Sequence, residues 1–442
     1  MLSKRQWYSA SKHQWYSALK HQCRSVTSMV VMLLAVAWMV TCSPTCWAQK
    51  DSGFKAEDTK LLRLLIHSRQ RTRFRGLQTF QNPQAKYQRL GTLMEAISKN
   101  VARLESDELP DITLTQMIAL AASTRDPRVM ANLERLLETE NFGLLTWIVA
   151  VLGKNQSRGS IPAIAKLIER PEFQVSYGFR HSLVRSLRQM RDPDAIVALV
   201  RLREDLDGQL AADLDRYFSK LDDDERSAAR GRLAELNAAP GLSDRLAGID
   251  ESSGSDVGVP MTPFRGSSYY GIPIVAKRVL FVLDHSGSMK AYQRGMTRLD
   301  HAKRELVDTI ASLPEDHEFA ILFYSVKNRW WKSELTVADE SSKQEAYRFV
   351  RKIGYGDKTN THAALLGALD CDQSLEAVYV LSDGRPTMGR EIQPAAILRE
   401  VLHQNHFRGL RFHTIGIDLD PTARQFLQQL SAETNGEFRS IE

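Results

Sequence analysis

FVLDHSGSMK, residues 281–290, is the stretch whose reading decides the fold. It continues an apolar run that begins at Val279 and stops at Asp284, after which Ser286 and Ser288 stand at alternate positions around Gly287. An apolar run without polar alternation marks a strand covered on both faces. A carboxylate and two hydroxyls at the end of such a strand cost desolvation energy unless a ligand binds there or they serve as turn and helix-cap residues. A second strand, AVYVLSDG at residues 377–384, ends the same way at Asp383.

Working outward, strands and amphipathic helices alternate from Val275 to the last residue. Leu299, Ala302, Leu306, Ile310 and Leu313 share one helical face, and FAILFY at 319–324 is a further strand. WWKSELTV at 330–337 predicts an edge hairpin, in which Trp330 and Trp331 either form an exposed contact or pack beneath a loop. Helices are expected near 343–353, 362–369, 396–403 and 423–434, with strands at 410–417 and 437–441. The alternation predicts an α/β doubly wound, mainly parallel sheet over residues 273–442. In such sheets ligands bind beyond the carboxyl ends of the strands, where strand order reverses.

If Asp284 and Asp383 flank that point, their carboxylates converge with Ser286 and Ser288. Thr359, in GDKTNTHAALLGAL at 356–369, enters from a neighbouring loop. Five oxygen ligands with no histidine or cysteine suit a hard octahedral cation, magnesium first and manganese as the alternative. Zinc would call for nitrogen or sulfur.

FVLDHSGSM, KTNTHAALLGAL, VYVLSDGRPT and FHTIGID together resemble the von Willebrand factor type A (VWA) domain, over roughly residues 277–441. The resemblance implies a metal-ion-dependent adhesion site of the form Asp-x-Ser-x-Ser, then Thr, then Asp. These positions fall on Asp284, Ser286, Ser288, Thr359 and Asp383. In that family the serines, and often the threonine, bind magnesium directly, the acids act through water, and a partner's Asp or Glu completes the shell. Two departures stand out: Asp357-Lys358 replaces the usual Gly-Gly before the threonine, and His285 fills the variable position after the first acid.

The preceding region, residues 49–237, reads as helical. Segments beginning at Ala119, Ala150 and Ser186, spaced by 31 and 36 residues, each carry an apolar helix end, a polar turn and a second helix ending in Glu. That period resembles HEAT-like helical hairpins, which stack into a solenoid because a single hairpin cannot bury its apolar face; a plain helical bundle is the alternative. The basic cluster HSRQRTRFR at 67–75 reads as a solvated helix face or an anionic-surface contact. Residues 238–272 are rich in Gly, Ser, Pro and Asp and read as a flexible linker.

Lys4, Arg5, Lys12, Lys20 and Arg24 precede the apolar run MVVMLLAVAWMV at 29–40, and residues 1–48 contain no Asp or Glu. With Ala48 as the small residue, this predicts a secretory signal cut before Gln49. The apolar run is shorter than the roughly 20 residues a spanning helix needs, so it touches a membrane only if retained as an anchor. A tandem octad, QWYSASKH then QWYSALKH, fills residues 6–21 and is given no function. Of the net charge of +6, the leader holds five units, so a nucleic-acid partner is not expected. Cys23, Cys42 and Cys46 also lie before the cut, leaving Cys371 as a buried thiol with no disulfide partner in the mature chain.

The sequence offers no P-loop, no His-Glu-x-x-His and no Gly-x-Ser-x-Gly. A haloacid-dehalogenase mechanism would need a second Asp where Ser286 stands. The expectation is therefore an exported (periplasmic, cell-surface or secreted) non-enzymatic protein that binds a protein partner through a magnesium-dependent site. The alternatives are a scaffold whose helical repeats do the recognition around a structural metal, or a VWA subunit assisting a metal- or ATP-dependent complex.

Overall fold

The computed structural model describes residues 56–236, Leu246 and residues 266–442 apart from Arg294. The leader, its cut before Gln49, three of the four cysteines and most of the stretch at 238–272 lie outside the described residues. The chain divides into two compact units between Arg103 and Leu104.

The first unit is helical: α1 (Ala56–Leu65), α2 (Gln70–Leu77), the short α3 (Ala85–Gln88) and α4 (Leu90–Val101). Arg89 pairs with Glu57 and Asp58, both at 3.1 Å, and the Asn100 amide donates to the Leu65 carbonyl at 3.1 Å. The basic cluster at 67–75 runs into α2. There Arg73 turns back onto the carbonyls of His67 and Ser68, while Arg71 and Arg75 face solvent.

The second unit opens with helix pairs: α5 (Ile112–Ala122) with α6 (Pro127–Arg135), α7 (Phe142–Lys154) with the short α8 (Ile161–Lys166), and, after the one-turn α9 (Pro171–Val175), α10 (Tyr177–Met190) with α11 (Pro193–Leu202). The last pair is α12 (Gly208–Ser219) and α13 (Asp223–Glu235). The Asp-Pro turns start the second helix of two pairs. Asp126 and Asp192 accept from the amides two residues on, and the following proline occupies the first helical position, where no amide is needed. The first helices lie side by side. The hydroxyls of Ser182 and Ser186 on α10 donate to the α7 carbonyls of Thr146 (3.0 Å) and Val149 (2.8 Å). Gly153 permits that approach, since a Cβ there would overlap Ser186.

The α/β part follows. A hairpin of β1 (Ser268–Tyr269) and β2 (Ile272–Pro273) uses the end of the stretch read as linker. Within that stretch the carbonyl of buried Leu246 accepts from Arg226 and Arg230. Next come β3 (Arg278–Asp284), a small hairpin of β4 (Tyr292–Gln293) and β5 (Met296–Thr297), α14 (Arg298–Ser312), β6 (Glu318–Tyr324), β7 (Asn328–Trp330), β8 (Thr336–Val337), α15 (Glu340–Lys352) and α16 (Thr361–Leu369). The chain ends with β9 (Ala377–Ser382), α17 (Pro394–Arg408), β10 (Arg411–Ile417), α18 (Pro421–Glu433) and β11 (Phe438–Ile441). The sheet order is β11-β10-β9-β3-β6-β7, and the first five are parallel. Strand order reverses between β3 and β9.

Alternate residues feed two layers. Val279, Phe281 and Leu283 join Phe319, Ile321 and Phe323 against Leu306 and Ile310 of α14 and Val350 of α15. Leu280, Val282, Leu322 and Val380 point the other way and are equally buried, on the side where α16 meets β3 and β6. Each such side chain contributes roughly 1.5–3 kcal/mol, which is why these strands read as unbroken apolar runs. The expected edge hairpin at 330–337 forms differently. β7 and β8 each pair antiparallel with β6, not with one another. Trp331 stacks on Phe319 with ring centroids 4.9 Å apart, and its amide donates to Ile321, drawing the segment onto the sheet. Cys371 is a buried free thiol that burial pushes up to about 11.

The helix pairs dock on the amino-terminal edge of the sheet. Glu376, 1% exposed, accepts from Arg278 at 2.9 Å and from the Gln209 amide at 2.7 Å. Asp207 takes the other side of Arg278 at 3.1 and 3.2 Å, and Asp213 pairs with Arg411 at 2.6 Å. Trp147 lies 4.3 Å from His406 between ring centroids. Gly178 meets the Phe407 carbonyl so closely that a Cβ would overlap it.

Candidate metal centre

The ladder between β3 and β6 runs one residue past Asp284, because the His285 amide donates to Tyr324 at 3.0 Å. The chain then turns. One oxygen of Asp284 accepts from the Ser286 amide at 2.8 Å, and the other accepts from the Ser382 hydroxyl, at the end of β9, at 3.0 Å. The hydroxyls of Ser286 and Ser288 are 3.1 Å apart, and Ser288 donates to Asp383 at 2.7 Å. Ser286, Ser288 and Asp383 therefore form a hydrogen-bonded chain of oxygens, joined to Asp284 through the Ser286 amide, between the carboxyl ends of β3 and β9, at the point where strand order reverses.

Thr359 is 5% exposed and held by its backbone. Its amide donates to the Thr387 hydroxyl and its carbonyl accepts from the Thr387 amide, both at 2.9 Å, fixing it to the loop that follows Asp383. The substituted loop before it is stitched to the first loop. The Gly356 amide donates to the His285 carbonyl at 2.6 Å, and the Gly287 amide donates to the Asp357 carbonyl at 2.9 Å. Gly356 has room for no side chain, because a Cβ would overlap Ser325. The Asp357-Lys358 departure thus changes side chains while Asp357 supplies the backbone acceptor. His285 donates from Nδ1 to the Gly354 carbonyl at 2.8 Å, and burial holds its value below the ordinary histidine range. It is a loop-fixing residue here.

Three participants escaped the sequence reading. Ser382 braces Asp284, while Arg298 donates to the second oxygen of Asp383 at 3.0 Å and also pairs with Asp418. Ser382 stood in plain view beside Asp383. Arg298 carried no signal, since its two partners lie 85 and 120 residues away.

Burial, and after it the charge of Asp383, push Asp284 up to about 7. Its own contacts are neutral donors, so ionising it beside a second carboxylate is costly. A divalent cation would relieve that cost, and the donors on offer are hard oxygens suited to magnesium or manganese. Among the described residues no group of three or more His, Cys, Asp or Glu side chains is placed to hold a metal ion. The residues fit a hard cation held by hydroxyls and two acids.

The profile of the von Willebrand factor type A domain matches residues 277–439. Those residues are a VWA domain. Within it the chain is 28% identical over 162 residues to human von Willebrand factor A domain-containing protein 3B, covering 36% of this chain and 11% of that protein. It is 29% identical over 174 residues to human inter-alpha-trypsin inhibitor heavy chain H2, covering 37% of this chain and 17% of that protein. The chain thus spans less than a fifth of the length of either relative. Among solved structures, a von Willebrand factor type A protein from Catenulispora acidiphila aligns with a TM-score of 0.32 and 21% identity, over 38% of each chain. The helical pairs lie before the VWA match.

Proposed function

We propose that this chain is an exported, non-enzymatic binding protein whose VWA domain engages a protein partner through a hard divalent cation at Asp284, Ser286, Ser288, Thr359 and Asp383. The observation that supports this most directly is the oxygen chain between the ends of β3 and β9. When bound, magnesium or manganese supplies positive charge that attracts a partner's Asp or Glu. The protein's part is to hold the ligands ready. Ser286 and Ser288 are uncharged, so they would hold the cation without quenching that charge. Ser382 and the Ser286 amide fix Asp284, and Arg298 fixes Asp383. The backbone contacts between the 285–287 and 354–357 loops set the loop carrying Thr359.

The test is a calorimetric titration of magnesium and of manganese into the full chain, repeated with Asp284→Ala. A saturable, single-site heat that disappears in the variant, while the variant melts cooperatively, is expected. No binding at millimolar metal overturns the centre. Partner capture is then compared in magnesium, in EDTA and with Asp284→Ala; equal recovery in all three assigns recognition to the helix pairs and removes the metal from it.

A further inference from the structure

A cleft of about 840 Å³ opens between α10, α12 and the start of β10, in the same unit as the VWA domain but at the opposite end of the sheet from the oxygen cluster. Seven residues of β10 at roughly 3.3 Å each put the two about 20 Å apart. Arg185, Arg188 and Arg191, three residues apart, line one wall from α10 and its end. Arg216 and Lys220 line the other from α12, and Arg411 lies at the base of β10. Asp213 is the single acid of the lining, and it is already taken by Arg411 at 2.6 Å and Arg216 at 3.2 Å.

A solvated basic helix face would ordinarily explain such a run of arginines. Two observations separate this cleft from that. Two positive walls face each other across it with no carboxylate for Arg185, Arg188, Arg191 or Lys220 among the described residues, an arrangement that repels in the folded state. Tyr217, in the lining with Arg188 over its ring at 5.1 Å, has a buried hydroxyl without a hydrogen-bond partner. The positive field is also felt by His181 in the same lining. Burial, then Arg185 and Arg411, press it down to about 3, so it stays neutral.

We propose that this cleft binds a small, multiply charged anion carrying two or more phosphate-type oxyanions, which bridges the helix pairs to the VWA domain. Guanidinium forks match tetrahedral oxyanions with paired N–H donors. The volume falls in the range of small-molecule sites, roughly 300–1,000 Å³. Because α10, α12 and β10 all contribute, the ligand neutralises both walls at once and tightens the docking it spans. This site is independent of the metal centre.

The test uses inorganic tripolyphosphate titrated into the full chain in EDTA, which silences hard-cation chemistry at the VWA cleft. Orthophosphate, citrate and poly-glutamate serve as comparison arms. Saturable one-to-one binding of tripolyphosphate is expected, with a rise in melting temperature and weaker binding of orthophosphate. Arg185→Glu with Lys220→Glu, neither of which removes an ion pair among the described residues, should weaken it more than tenfold, about 1.4 kcal/mol. Asp284→Ala should leave it unchanged. Retained binding in the double charge reversal, lost binding in Asp284→Ala, or no saturable heat with tripolyphosphate overturns the proposal. Poly-glutamate binding in place of tripolyphosphate overturns it too, and makes the cleft a site for acidic polypeptide.

Discussion

At the amino ends of the strands the docking charges have their partners in place: Glu376 accepts from Arg278 and from the Gln209 amide, Asp207 pairs with both Nη atoms of Arg278, and Arg411 meets Asp213. At the carboxyl ends Asp284 is buried with neutral donors alone, next to a second acid whose cation, Arg298, is shared with Asp418. The same sheet thus spends its acids in two ways. At one end the buried acid is paired within the chain, which gives a fixed docking of the helix pairs. The other leaves a deficit of positive charge that a ligand can fill. An acid paired inside the protein should stabilise it, and one awaiting a ligand should not.

The largest effect that sharpens this contrast is expected at Glu376. Glu376→Ala strips Arg278 of its buried partner and leaves the Gln209 amide unsatisfied, a loss of about 3 kcal/mol in chemical denaturation. A loss below about 1 kcal/mol would erase the distinction between the ends. Asp284→Asn should behave oppositely: the metal-free protein should be as stable as the parent, because an acid that is costly to ionise has been removed. What it should lose is the stabilisation added by magnesium, about 2.7 kcal/mol at a hundred times the dissociation constant. Melts with and without metal check this, and a metal-free variant much weaker than the parent breaks the comparison.

The smallest effect is in pH. Burial holds His181 near 3 and His406 and His413 near 4, all below the ordinary 6.5. Their contribution to stability is full above about 6.5 and is lost as pH falls through those values. Glu376 runs the other way: raised by burial from 4.5 to about 7, it contributes most below 4.5 and loses that as pH rises through 7. Asp284, likewise raised to about 7, adds to Glu376. Three groups outweigh two, so the melting temperature should fall from pH 6.5 to 4.5. Glu376→Gln, which removes one of the opposing groups, should make that fall steeper. Parallel pH profiles for parent and variant would rule this account out.

The sequence disclosed what has a local period or a local shape. The strand runs ending in Asp284 and Asp383, and the Asp-Pro helix starts, were readable because neighbours in sequence produce them. Trp331 was less so: its aromatic character was visible, but pairing of β7 and β8 with β6 depends on Phe319 lying beneath it. The ion pairs that dock the helices were invisible, because Asp207 and Arg278 are 71 residues apart and Asp213 and Arg411 are 198 apart. Nothing in composition distinguishes a charge with a distant partner from one without.

The close crossing at Gly178 and the buried Glu376 also have a mechanical meaning. A load applied at the carboxyl-end cleft and resisted by the helix pairs at the amino ends runs along β3 and its parallel neighbours. The ladder joining β3 to β6 and β9 is then pulled in shear, so its bonds share the force and must yield together. A load across the strands would open them singly, like a zip. For the proposed binding at the carboxyl-end cleft, the parallel strands would carry such a load to the helix pairs.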